Sequence, residues 1–259
     1  MRRTVDATNE DNDDLILDNR AGDALFRAVR ASNAFEETVE RLLQAIRLGV
    51  VAPAERLPPE RDLAARLNVS RVTLREAIGA LQESGYVESR RGRYGGTFVR
   101  AELPRSGRTD PSRAIAEHSS DLHDTLLHRQ VLETGAAEAA AARDLTEAER
   151  AHLVSRLTHV SQAELRSYRR MDSRFHLAIA EVTASTSLTA AVADVRMRLN
   201  ELLDAIPLLD HNITHANEQH EQILRHILDN KPEQARQTMS EHLDGTASLL
   251  RGFLSEVRI

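Results

Sequence analysis

Apolar positions fall into a helical rhythm from Phe35, continuing through Val39, Leu42, Leu43 and Ile46, and Gly49 ends the run. Asn33 and Glu36 stand in front of it at capping-box spacing. Pro58 and Pro59 suit the first turn of a second helix, with Leu63, Ala64 and Leu67 on its inner face. Asn68-Val69 predicts a tight turn and Ser70 an N-cap. A third helix then runs to Gly85 with Leu74, Ala77, Ile78 and Leu81 turned inward. Two short runs follow, 86–88 and 97–99, around an Arg- and Gly-rich tip, and these predict a hairpin.

Beyond residue 113 no strand rhythm occurs. The spacing predicts helices near 113–118, 121–143, 146–159, 161–184, 187–204, 214–229 and 231–257. Thr146 with Glu149, Ser161 with Glu164 and Asn230 with Glu233 are the capping pairs. The fold class is therefore mainly α: a winged helix-turn-helix with a small β-hairpin wing, then an antiparallel all-helical domain of six to seven helices. Residues 1–33 read as a flexible acidic arm, in which Ala24, Leu25, Phe26 and Val29 could form a short amphipathic helix, 34–100 as the winged unit, 101–112 as a Pro-, Gly- and Ser-bearing linker and 113–259 as the bundle.

Composition supports this division. Aromatics are 3% with no Trp, so aliphatic side chains must build the core, which favours helix on helix. With no Cys, disulfides, thiolate metal sites and cysteine nucleophiles are excluded. No apolar window is long enough to span a membrane, and the start of the chain lacks the apolar stretch of a signal peptide, so a cytoplasmic protein is expected. The net charge of −6 is unevenly spread: residues 35–100 carry 11 Arg against 9 acids, while all 11 histidines lie after residue 117 in the acidic part.

A mildly basic winged unit has a simple chemistry. The exposed N-terminal end of its third helix, with Arg71, Val72, Thr73 and Arg75, presents N–H groups and a dipole that favour phosphate. Arg there can also pair with guanine in the major groove. Glycines at the wing tip let the backbone approach DNA, and its arginines suit the minor groove. The residues 57–64 (LPPERDLA), 69–77 (VSRVTLREA), Leu81 with Gly85, and 91–99 (RGRYGGTFV) resemble the GntR family of bacterial transcription regulators. That resemblance implies phosphate contacts from Arg61, Ser70, Thr73 and Arg75, base reading by Arg71, and a wing tip at Arg91 and Gly92. Two departures stand out. Ala54 occupies a position that is usually Gly, and Tyr94 interrupts a Gly run.

In the bundle, four ionisable residues fall in apolar stripes. Asp172 and His176 are spaced i, i+4 beside Phe175 and Ile179. His220 is in register with Ile223, Leu224 and Ile227, and His242 with Ala235 and Met239. Burying these groups is costly unless something compensates them. A divalent ion held by imidazole and carboxylate is one solution, and hydrogen-bonded core histidines are another. His152, His159, His215 and His226 read as outward and solvated, and His211 as a loop residue.

The segments 129–133 (RQVLE), 171–179 (MDSRFHLAI), 218–223 (EQHEQI) and 239–243 (MSEHL) look like the effector domain of the fatty-acid-regulator (FCD-type) branch of GntR proteins. By that resemblance Asp172, His176, His220 and His242 hold a divalent ion, zinc foremost with nickel or manganese as alternatives, and the ion anchors a carboxylate effector. Arg129 matches the family's Arg and would pair with the effector's carboxylate, although a helix-surface or dimer salt bridge is an equally open role. Residues 184–187 depart from the usual turn, which bears on pocket shape.

The resulting expectation is a ligand-responsive regulator, not an enzyme. It would bind palindromic double-stranded operator DNA as a homodimer, with repression released by a small carboxylate. Two alternatives are a metal-free sensor of an acyl-type apolar ligand and a metal-dependent hydrolase fused to a DNA-binding unit.

Overall fold

The computed structural model describes residues 21–26, 34–92, 95–104, 111–204, 206 and 210–255. Asn33, Arg93, Tyr94 and most of the expected arm and linker lie outside them. A short helix, α1, covers residues 21–25. The winged unit follows as α2 (Ala34–Arg47), α3 (Glu60–Leu67), α4 (Arg71–Glu83), β1 (Val87–Arg90) and β2 (Gly96–Val99). The bundle is α5 (Pro111–Ala141), α6 (Glu147–Ser161), α7 (Leu165–Glu181), α8 (Thr186–Leu203), α9 (Asp210–Leu228) and α10 (Pro232–Ser255). Among the described residues no helix is long and apolar enough to cross a membrane.

Local chemistry sets the winged unit. Asn68 ends α3 in the left-handed conformation, which Asn tolerates. The Ser70 hydroxyl accepts the Thr73 N–H at 3.0 Å and starts α4. Gly85, at φ +77°, turns the chain into β1. β1 and β2 pair antiparallel with Val87 opposite Val99 and Arg90 opposite Gly96. The segment before α3 joins them, since Leu57 donates to the Thr97 carbonyl at 2.8 Å. Ala54 sits at φ +66°, a backbone conformation that glycine adopts more readily.

In the bundle α5 is central and packs against α7, α8, α9 and α10. It is one continuous helix where two were expected, because no breaker separates 118 from 121. Thr146 and Glu149 form the expected capping box. The other two capping pairs differ. Ser161 is the last residue of α6, and α7 begins after Glu164. Asn230 takes a left-handed conformation and donates its amide to the carbonyls of Ala141 (3.3 Å) and Arg143 (2.8 Å). Tertiary partners thus claimed a side chain that local spacing assigned to a cap. His211 lies in the first turn of α9 instead of a loop.

Residues 21–26, expected to belong to a flexible arm, are packed. Ala21 and Leu25 join the apolar core of the bundle, Phe26 joins that of the winged unit, and Asp23 pairs with Arg66 at 2.9 Å. The two cores also meet at α2. Asp194 of α8 accepts from Gln44 (2.7 Å) and Arg41 (3.0 Å), and Arg47 reaches Glu201 of α8 and the Tyr86 hydroxyl. At the end of α2, Gly49 (φ +71°) lies against the Arg170 side chain, where a Cβ would come within 2.9 Å.

Candidate functional site

α7 presents Asp172 and His176 one turn apart on the face that meets α5 and α8. α9 and α10 bring His220 and His242 to the same point. One donor atom from each of the four lies within 4.8 Å of the others. His220 Nε2 is 3.3 Å from both Asp172 Oδ1 and His242 Nε2, and His176 Nε2 is 3.8 Å from Asp172 Oδ1. Donors sharing an ion at about 2.1 Å stand about 3.0–3.4 Å apart, so the spacing fits a metal with little adjustment. The imidazoles are buried, while Asp172 keeps 13% of its side chain exposed and forms the open edge.

The surrounding contacts orient these donors. His242 Nδ1 donates to Gln219 Oε1 at 3.1 Å, which leaves its Nε2 lone pair pointing inward. His176 Nδ1 stands 2.6 Å from Glu133 Oε2, and its buried Nε2 has no hydrogen-bond partner. Two imidazole lone pairs and a carboxylate oxygen therefore face one point, a donor set suited to a divalent cation.

Behind them sits a buried ionic network. Arg196 of α8 bonds Asp172 Oδ2 and Ser173 Oγ and lies 3.6 Å from Glu133, and Arg129 Nε meets Glu133 at 3.3 Å. Burial raises the Glu133 and Asp172 carboxyls, but the neighbouring side chains outweigh it: His176, Arg129 and Arg196 for Glu133, and Arg196, His220 and His176 for Asp172. Both stay below the usual carboxylate range. Burial pushes His176 down to about 4, Arg196 adding to the effect against Glu133 and Asp172. Burial and the adjacent imidazoles push His242 well below its ordinary value. Both histidines are neutral donors at pH 7.

Arg129, fully buried, keeps Nη1 without a partner. With Asp172 and His242 it lines a cavity of about 320 Å³ that opens between α7, α8, α9 and α10. The structure thus brings all five expected residues of the bundle to one place. Glu133, Arg196 and Gln219 were not among them. Glu133 is one turn from Arg129, and Arg196 is a lone charge in the apolar stripe of α8. The stripe argument used for the histidines would have found both. One outward assignment is corrected: His152 is fully buried, with Nε2 2.9 Å from Glu181, because α7 covers that side of α6. His159 and His215 are exposed as expected, and His226 is half-buried.

In the winged unit, Arg61, Ser70, Arg71, Val72, Arg75, Arg91 and Gly92 are exposed and Thr73 is half-buried. Val72 is 65% exposed. Arg75 bonds Glu60 at 2.8 Å, which ties the start of α3 to α4. Arg61 contacts its neighbour Asp62 at 3.2 Å.

Residues 35–99 match the family model "Bacterial regulatory proteins, gntR family", and residues 121–245 match the FCD domain. RmpR of Mycobacterium gastri, described as an HTH-type transcriptional regulator, is 32% identical over 85% of this chain and 81% of its own length. The chain belongs to the GntR family. Other GntR relatives are the Exu regulon transcriptional regulator of Escherichia coli K12 (28% identical; 83% of this chain, 84% of that one) and LutR of Bacillus subtilis (27%; 82% and 98%). The solved structure of E. coli McbR/YncC superposes with a TM-score of 0.50 at 19% identity, over 85% of this chain and 98% of that one, and shows the shared fold. This GntR protein is therefore a DNA-binding transcription regulator with an FCD effector domain, and the hydrolase alternative falls away because its families and relatives are regulators.

Proposed function

We propose that this GntR protein is a cytoplasmic repressor that binds a palindromic operator as a homodimer. A divalent ion, zinc foremost, would be held by Asp172, His176, His220 and His242 and would anchor a small carboxylate beside Arg129. The observation that carries the reading is the convergence of inward lone pairs and the Asp172 carboxylate at the edge of a cavity that also holds an unpaired buried guanidinium nitrogen. Charge accounting supports it. Asp172 and Glu133 balance Arg129 and Arg196, so a divalent ion would leave two excess positive charges in a buried space, which an anionic ligand offsets. The bound ion supplies a Lewis-acid seat for a carboxylate oxygen. Arg129 orients the other oxygen, and Arg196 keeps Asp172 Oδ1 turned to the site by holding Oδ2.

At the other end, Arg71 would read bases, Arg61, Ser70, Thr73 and Arg75 would grip phosphate, Val72 would meet apolar base edges, and Arg91 with Gly92 would form the wing tip. We assign residues 34–100 to the DNA-binding head, 101–112 to the linker and 113–259 to the effector and dimerisation domain. α8 links the two functions, since it carries Arg196 towards Asp172 and Asp194 towards α2. A shift at Asp172 therefore has a short mechanical route to the head.

The test is the thermal midpoint of the purified protein with chelator and then with zinc restored. A native-state ion present at 100–1,000 times its dissociation constant should raise the midpoint by about 5–15 °C. Ala at any of the four ligands should abolish that rise. A midpoint indifferent to chelator, with metal content unchanged in two or more of the variants, would sink the metal reading and turn the search to apolar, acyl-type ligands.

A further inference from the structure

We infer that the effector is a short carboxylate with an aliphatic body, not a polyhydroxylated acid. This rests on the carboxylate-anchoring reading above and adds the chemistry of the rest of the ligand. The cavity of about 320 Å³ lies at the small end of ligand pockets, so the ligand is small. Its charged end is Arg129, Asp172 and His242. Away from that end the walls are Leu203, Ile206, Ile213, Ala216, Gly245 and Leu249. Gly245 widens the cavity, since a Cβ there would meet nothing within 4 Å.

Most polar groups among these walls already have a partner, although Arg169 Nε has none. Arg169 donates to Asp204 (2.9 Å) and to the Ile206 carbonyl (2.8 Å), the Tyr168 hydroxyl donates to Asn217 (3.3 Å), and Gln219 accepts from His242. What remains is Arg169 Nε, Asn212, Thr246 and the largely exposed His215. A six-carbon sugar acid carries five hydroxyls, each seeking a donor and an acceptor. These four groups cannot satisfy five hydroxyls, and every hydroxyl against the aliphatic wall would give up its water without compensation. A hydrocarbon tail meets the same wall with no polar debt, and its burial is favourable.

The experiment compares two ligands with identical anchoring ends, 2-hydroxyhexanoate and gluconate, titrated calorimetrically into the zinc-loaded full-length protein. Both carry a carboxylate and a 2-hydroxyl on six carbons, so they differ only beyond carbon 2. The hydrocarbon acid should bind about 100-fold or more tightly than gluconate, since one misplaced hydroxyl in an apolar pocket already costs about that factor. Leu249→Asn, which keeps the branching at Cγ and replaces wall carbon with amide, should shrink the ratio at least tenfold while zinc affinity stays unchanged. Gluconate binding as well or better overturns the aliphatic assignment but leaves carboxylate anchoring intact. Neither ligand binding, while zinc still raises the thermal midpoint, overturns both. A Leu249→Asn variant with an unchanged ratio would show that this wall does not meet the ligand, and the inference falls.

Discussion

Replacing Glu133 by Gln keeps the shape of a buried side chain and removes one negative charge from the centre of the ionic network. In the native protein that carboxylate faces His176 Nδ1 at 2.6 Å, Arg129 at 3.3 Å and Arg196 at 3.6 Å. It fixes the tautomer that turns His176 Nε2 inward and makes that nitrogen a stronger donor. Partners of this kind contribute about 10- to 100-fold in metal affinity. That factor corresponds to about 1.4–2.7 kcal/mol of metal-dependent stabilisation. The variant also leaves Arg129 and Arg196 with Asp172 as the remaining anion of the cluster, so the metal-free protein should be destabilised too. The two effects separate by measurement. Zinc competition against a chromophoric chelator gives the affinity, and thermal midpoints with and without zinc give the increment due to the ion. The metal-free midpoint reports structural damage, whereas a shrunken increment reports loss of donor strength. A Gln variant with native zinc affinity and a native increment would refute the assignment of Glu133 to the centre, however unstable it proved.

Two further outcomes follow from the same geometry. Without metal, His176 titrates at about 4 in the folded protein against 6.5 when unfolded, so the unfolded chain binds more protons between those values. The stability that this group contributes is present above pH 6.5 and falls as pH drops towards 4, by about 3 kcal/mol at 1.36 kcal/mol per unit. Urea midpoints of chelated protein from pH 8 to 4.5 should show the decline and His176→Gln should flatten it, so equal slopes in the two proteins would rule the account out. At the seam between domains, Asp194→Ala removes the acceptor of the buried Gln44 amide and should cost about 1–3 kcal/mol. Calorimetry should show the head unfolding earlier than the bundle in that variant, and a native single transition would mean that this contact does not couple them.

The order of elements in the winged unit was legible because each boundary depends on residues within four positions of itself. Asn68, Ser70 and Gly85 do their work through local backbone geometry and near-neighbour hydrogen bonds. The pairing of Asp172 with His176 was legible for the same reason, since one helical turn fixes it. Helix phase also placed His220 and His242 inward. It failed for His152, because a helix covered by α7 and α9 has more than one buried side and a single apolar stripe does not mark both.

The sequence by itself determined a winged unit, a helical bundle and a set of costly inward side chains, because local propensity and periodicity carry that information. Only the tertiary structure decided which buried charges answer one another. Glu133 and Arg196 stand 63 positions apart on different helices, and although helix phase turns each inward, nothing local says that the two answer one another. The same holds for residues 21–26. An acidic context reads as a free arm, yet Ala21, Leu25 and Phe26 are buried because the junction of two cores offers apolar surface on both sides. Long-range pairing sets the charge balance of the site and the join between sensor and head, and both depend on contacts that form when the chain is folded.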